Sequence, residues 1–210
     1  MPRTIDYYFT LVSPWAYLGH RVFIDIARKH DARVHYRPLA LGAVFPESGG
    51  LPLAKRHPLR VNYRHVELQR WRARRSLAMN IKPKFWPFEP TFVDCIVVAL
   101  QARGDDVEAF LPRAFAAIFE EERDLKDPAT VHALLDAGGL DADAVMKAAV
   151  DAKTKAIYEA DTRRALEVGV FGSPAYVLDH EIFWGQDRLD MLDEALGSGR
   201  APFLSDASAG

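Results

Sequence analysis

The sequence predicts an α/β fold in which both ends of the chain share one mixed sheet and an all-helical block is inserted between them. Three observations predict it. The short runs that read as strands, rich in β-branched and aromatic residues, fall near the two ends of the chain. The middle carries apolar residues at helical spacing, divided by capping residues and glycines. The opening run reads strand, helix, strand, and that crossover favours parallel strands in one sheet.

Each element has a local reason. Thr4–Thr10 (TIDYYFT) reads as a strand. Ser13 sits at the N-cap of the next helix and Pro14 in its first turn. Trp15, Leu18, Val22 and Ile26 then recur every three or four residues, which makes one helical face. Residues 33–39 (RVHYRPL) read as a second strand. Residues 42–59 are rich in Gly and Pro and read as a long functional loop. A helix follows over 60–80, with Tyr63, Leu68 and Trp71 facing inward. The three prolines of 82–91 exclude a helix there.

Four helices are predicted next, over about 91–103, 107–120, 128–137 and 141–150. Asp127-Pro128 and Asp141 start two of them, and Gly104 and Gly138-Gly139 stop two. A further helix over about 153–167 ends at Gly169. Ala175–Leu178 and Glu181–Trp184 read as short strands joined by a tight Asp179-His180 turn. Asp187 is expected to cap a closing helix over about 187–197. The implied division is 1–45 and 153–200 for the two halves of the sheet domain, 46–152 for the helical insertion, and 201–210 for a mobile tail.

Composition narrows the chemistry. The 210 residues are 49% hydrophobic and 27% charged with a net charge of -2, ordinary values for a globular chain. Cys95 is the single cysteine, so neither an internal disulfide nor a dithiol redox pair can form. The N-terminal MPRTIDYYFT lacks the pattern of a secretory signal, and no apolar run approaches the roughly 18 residues of a membrane span; the expectation is a cytoplasmic protein with no membrane partner. Histidines show no metal-like spacing and no metal is expected. Residues 55–75 hold Lys55, Arg56, Arg60, Arg64, Arg70, Arg72, Arg74 and Arg75 against Glu67 alone. That field suits an anionic small molecule or is a solvated helix face, and a nucleic-acid partner is disfavoured.

Three motifs carry a resemblance. They are Ser13-Pro14-Trp15-Ala16-Tyr17-Leu18-Gly19 after the first strand, Gly169-Val170-Phe171-Gly172-Ser173-Pro174 before the third, and Phe183-Trp184-Gly185-Gln186-Asp187-Arg188-Leu189 at the start of the last helix. Val66-Glu67-Leu68-Gln69-Arg70-Trp71 is a weaker fourth. In this order the set resembles the 2-hydroxychromene-2-carboxylate isomerases and kappa-class glutathione transferases. These families have a thioredoxin-like domain (βαβ…αββα mixed sheet) with a large inserted helical domain, as in DsbA.

The resemblance implies a glutathione cofactor and, by the same token, a homodimer. Ser13 would be the catalytic residue, standing where oxidoreductases of this fold keep an attacking cysteine. Its hydroxyl would donate to the glutathione thiolate at a helix N-terminus, which favours an anion. The plain reading of Ser13 is a helix cap, and the two roles can coexist. Pro174 is expected to be cis, leaving the Ser173 backbone to pair with the cysteinyl part of glutathione. Gln186 and Asp187 would bind the γ-glutamyl end and Arg60 the glycyl carboxylate. An asparagine that the resemblance places before Arg60 is not evident in Ser48–Leu53, and Lys55 or Arg56 would compensate. Trp15, Tyr17 and Trp86, with Phe85 and Phe88, are either core or the lining of a pocket for an aromatic carboxylate. The implied activity is a glutathione-dependent isomerase, with a kappa-type transferase and a non-catalytic thiol-binding module as alternatives.

Overall fold

The structure, a computed structural model, describes residues 2–205. Strands β1 (Thr4–Phe9), β2 (Arg33–Pro38), β3 (Ala175–Leu178) and β4 (Glu181–Trp184) form one sheet in the order β2-β1-β3-β4. β1 pairs parallel to β2, with Tyr7 opposite Tyr36, and antiparallel to β3, with Tyr7 opposite Tyr176. β3 and β4 form a hairpin whose two turn residues, Asp179 and His180, both take positive φ (48° and 72°), as a two-residue turn between twisted strands requires.

Alternation along β1 sends Ile5, Tyr7 and Phe9 to one face and Tyr8 to the other. The first face packs on helix α1 (Pro14–Lys29): the Tyr7 ring lies 4.4 Å from Phe9, 4.6 Å from Phe23 and 5.2 Å from Tyr176. The second face, with Tyr8 and Val177, is covered by α2 (Leu41–Ser48) through Val44 and by α8 (Ala152–Glu167) through Ala165. Between them run α3 (Pro58–Arg75), α4 (Thr91–Arg103), α5 (Leu111–Phe119), α6 (Pro128–Ala137) and α7 (Ala142–Ala149), and α9 (Leu189–Ser198) closes the chain.

The helical block shares its core with the sheet. One continuous apolar cluster runs from Ile5 and Phe9 through Phe115 to Val131 and Val145. Helix α4 also covers the free edge of β2. Its Gln101 side chain accepts from the Tyr36 N–H (2.8 Å) and donates to the Tyr36 carbonyl (3.0 Å), standing in for one residue of a further strand.

Five local expectations are corrected. Residues 42–59 are not one loop: α2 and a short turn of 3₁₀-helix (Leu53–Lys55) lie within it. Burial of Val44 under the sheet selects helix there despite Pro46. α3 ends at Arg75 rather than 80, because Ser76 adopts a left-handed conformation (φ 52°) and the chain returns hydrogen bonds to the Arg72 and Ala73 carbonyls. Tyr63 points outward, 60% exposed, while Leu68 is buried. The stretch 107–120 is a 3₁₀ turn (Val107–Ala109) followed by α5, with Pro112 in that helix's first turn. Asp187 does not cap α9: residues Gln186–Arg188 form a 3₁₀ turn, Arg188 occupies the N-cap position, and the Asp187 carboxylate pairs with Arg188 at 3.1 Å.

The expected mobile tail lies partly outside the described residues. In its described part the Phe203 N–H donates to the Glu181 carboxylate (3.0 Å), which also accepts from Arg200 just before the tail (2.7 and 2.8 Å).

Candidate active site

The turn from β1 into α1 sets Ser13. Its backbone is extended (φ -83°, ψ 111°) and its N–H bonds the Thr10 carbonyl at 3.0 Å. The Ser13 Oγ accepts from the Ala16 N–H at 3.2 Å, so the expected N-cap is present. Pro14 at the first helical position lacks an N–H, and the Trp15 N–H finds no acceptor among the described residues. That leaves the mouth of α1 with an unspent donor and the positive end of the helix dipole.

The same hydroxyl donates to the Ser173 carbonyl across 3.2 Å. The Ser173–Pro174 bond is cis, as expected; a second cis bond, Trp86–Pro87, was not. The Ser173 Oγ accepts from the Thr10 N–H (3.2 Å), and the Pro174 carbonyl accepts from the Gly185 N–H (2.9 Å). The Ser173 N–H has no partner among the described residues. The end of β1, the mouth of α1 and the loop entering β3 are therefore stitched into one unit with a free backbone donor on each side.

A buried carboxylate holds this unit from below. Asp94, fully buried in the first turn of α4, accepts from the Leu11 N–H (2.9 Å), the Thr10 hydroxyl (2.8 Å) and the Tyr158 hydroxyl (3.3 Å). Burial pushes its carboxyl up to about 7, against the three hydrogen bonds, which favour the ionised form. Sequence reasoning missed Asp94. Its one signal was an acid in the otherwise apolar run TFVDCIVVAL. The neighbouring Cys95 is buried, and burial, with the Asp94 charge second, raises its thiol to about 12, which makes it a packing residue.

The third wall is the segment after β4. Gln186 is buried (1% exposed) and its side-chain and backbone oxygens accept from Arg75 at 3.1 and 3.4 Å. Arg75 is a second residue that sequence reasoning did not single out from the basic tract. Two glycines allow this segment to approach. A Cβ on Gly19 would lie 2.5 Å from the Gln186 Cβ, and Gly185 combines φ 100° with a Cβ position 2.4 Å from the Asp187 carboxylate.

These walls border a cleft of about 1130 Å³, with the cleft face of α3 opposite Ser173, Gln186 and Asp187. Of the expected site residues, the cleft collects Ser173, Gln186, Asp187, Arg60 and Trp15, along with Arg56 and Arg64. Pro174 and Ser13 sit directly behind Ser173, the latter only 5% exposed. Tyr17 is not on the cleft wall. It is buried, its ring lies 5.0 Å from Phe119 and its hydroxyl donates to Glu120 at 2.8 Å. Trp86 stands behind the lining, with its indole N–H donating to the Val12 carbonyl (2.8 Å). Lys55 is exposed and outside the cleft.

A hydroxyl at a helix mouth, a cis-proline loop facing it and a helical block between the two halves of a four-stranded mixed sheet define a thioredoxin-fold protein with a serine, not a cysteine, at the start of its first helix. The chain belongs to the family of DsbA-like thioredoxin domains, which it matches over residues 4–197. It is 31% identical over 198 residues to the 2-hydroxychromene-2-carboxylate isomerase of Sphingobium xenophagum, covering 93% of this chain and 99% of that one. It is 25% identical over 209 residues to glutathione S-transferase kappa 1 of Caenorhabditis elegans, covering 93% and 91%. A solved structure of 2-hydroxychromene-2-carboxylate isomerase superposes with a TM-score of 0.76 at 24% identity, over 93% of this chain and 95% of the other, and so shares the fold. Among the described residues no helix is long and apolar enough to cross a membrane.

Proposed function

We propose that this protein is a glutathione-dependent isomerase of the 2-hydroxychromene-2-carboxylate type, acting on an unsaturated aromatic pyruvate-like acid. The observation that carries this reading is the Ser13 hydroxyl at the mouth of α1, 3.2 Å from the carbonyl of the residue before cis-Pro174. With one cysteine, buried and outside the cleft, the chain has no disulfide chemistry of its own at that point. The cleft fits glutathione by its donors and charges: free N–H groups on Trp15 and Ser173, a carboxylate on Asp187, and the guanidinium of Arg60 on α3.

Bound glutathione would supply a thiolate for reversible addition to the substrate's conjugated double bond, and the loss of double-bond character permits rotation before the thiol leaves again. The protein's part is electrostatic. Ser13 Oγ exchanges its donation from the Ser173 carbonyl to the sulfur, and the helix dipole lowers the thiol pKa. The Ser173 N–H and C=O hold the cysteinyl backbone as an added strand. Asp187 takes the γ-glutamyl ammonium with Gln186 beneath it, and Arg60 takes the glycyl carboxylate. Trp15 forms the aromatic wall nearest the helix mouth.

The test is the absorbance change of 2-hydroxychromene-2-carboxylate with and without glutathione. Turnover that requires glutathione is expected; no turnover in either case removes the reading. The similarity to a kappa-class transferase favours a second reading, in which the same site conjugates glutathione to an electrophile. Conjugation of chlorodinitrobenzene without isomerisation would select it.

A further inference from the structure

Cations outnumber carboxylates along the cleft. Four arginines line it (Arg56, Arg60, Arg64 and Arg188), against two carboxylates (Glu67 and Asp187). Arg188 is spent on Asp187 (3.1 Å), and Glu67 is answered from outside by Arg70 (2.5 Å). Arg56 donates to the Leu51 carbonyl (2.8 Å) and lies over the Phe45 ring, bracing the loop. Arg60 is exposed and assigned above to the glycyl carboxylate.

Arg64 remains. It is half-buried, lines the cleft, and makes no hydrogen bond or ion pair among the described residues. Its guanidinium lies 5.3 Å over the Trp86 ring, a cation–π contact that orients it without neutralising it. Trp86 is itself fixed by its bond to the Val12 carbonyl, one residue before Ser13. The positive charge is therefore held on the wall of the cleft that is anchored next to the helix mouth. Arg60 is one helical turn away along the same face of α3, about 6 Å by helix rise. Burial, with the Arg56 charge second, lowers the Arg64 guanidinium to about 10, as expected for a desolvated cation without a counter-charge. A guanidinium presents a planar fork that matches a carboxylate in two parallel hydrogen bonds.

We propose that Arg64 is the carboxylate-binding group for the substrate, holding the acid end of an unsaturated aromatic acid beside the position of the glutathione thiolate at Ser13. The inference rests on the isomerase reading for its substrate class, but its test is a binding test. Arg64→Gln and Arg64→Lys in the full chain, checked for folding by thermal melting, are titrated by calorimetry with glutathione. The glutathione-loaded proteins are then titrated with trans-cinnamate and with methyl cinnamate.

The wild type is expected to prefer the acid over the ester. Arg64→Gln is expected to lose about tenfold or more in affinity for the acid, with ester and glutathione affinities within about twofold of wild type, and Arg64→Lys to lie between. Equal losses for glutathione and the acid would assign Arg64 to glutathione's own carboxylate and overturn the proposal, as would an acid preference that is absent in the wild type or survives in Arg64→Gln. Absence of turnover with 2-hydroxychromene-2-carboxylate would sink the isomerase reading while leaving these affinities to decide the role of Arg64.

Discussion

The Ser13 hydroxyl donates to the Ser173 carbonyl across 3.2 Å, so one hydrogen bond joins the mouth of α1 to the residue preceding cis-Pro174. That proton is the one a thiolate would claim. Ser13 also accepts from Ala16, so its loss has two separable effects. Ser13→Ala is expected to cost about 1 kcal/mol of stability through the cap, and roughly 100-fold in turnover through the missing donor. Ser13→Gly retains most of the cap energy, a few tenths of a kcal/mol below Ser, yet is expected to lose as much activity. Denaturation midpoints together with glutathione-dependent turnover check this; equal activity in Ser13→Gly and wild type would reduce Ser13 to a cap.

Asp94 makes stability depend on pH with a definite sign. Its carboxyl is raised from 3.8 to about 7, so the folded chain keeps a proton that the unfolded chain releases between those values. The stabilisation is fully present below about pH 4 and is lost as pH rises through 7, by about 4 kcal/mol at 1.36 kcal/mol per pKa unit. Asp94→Asn is expected to flatten that part of the stability profile in urea denaturation between pH 5 and 8. A variant with the wild-type slope would show that another group carries it.

The approach of Gln186 to α1 depends on Gly19. A methyl there meets the Gln186 Cβ at 2.5 Å, so Gly19→Ala is expected to lose about 1–3 kcal/mol and to weaken glutathione binding by moving the Gln186–Asp187 segment. Calorimetry on the folded variant checks it; unchanged stability and affinity would mean that the segment shifts freely.

Asp187 is half-exposed, and among the described residues its carboxylate pairs with Arg188 alone. Asp187→Asn is expected to weaken glutathione binding about tenfold, in the range of one charge-assisted hydrogen bond, and to leave binding of cysteinylglycine, which lacks the γ-glutamyl group, unchanged. Equal weakening of both ligands would remove Asp187 from the γ-glutamyl site.

Much of this architecture was legible because the signals are local. Asp179-His180 between two apolar runs specifies a hairpin, and Ser13-Pro14 specifies a helix start, wherever they occur. The errors fall where tertiary packing overrides local pattern. Pro46 and its flanking glycines read as loop, but burial of Val44 against Tyr8 and Ala165 makes a helix. Tyr17 belongs to a motif at the helix mouth, yet helical rotation carries it away from the cleft into contact with Phe119 and Glu120. Asp94 lies 83 residues from Leu11, and its three donors come from two distant segments, so no spacing rule could have assigned it.

The most direct test of the borrowed-sulfur account is a titration of the ultraviolet thiolate absorbance of glutathione bound to wild type and to Ser13→Ala. The account predicts a thiol pKa well below the roughly 8.5 of a free thiol in the wild type, rising toward that value in the variant. A bound thiol that titrates in the wild type as it does in free solution would contradict it.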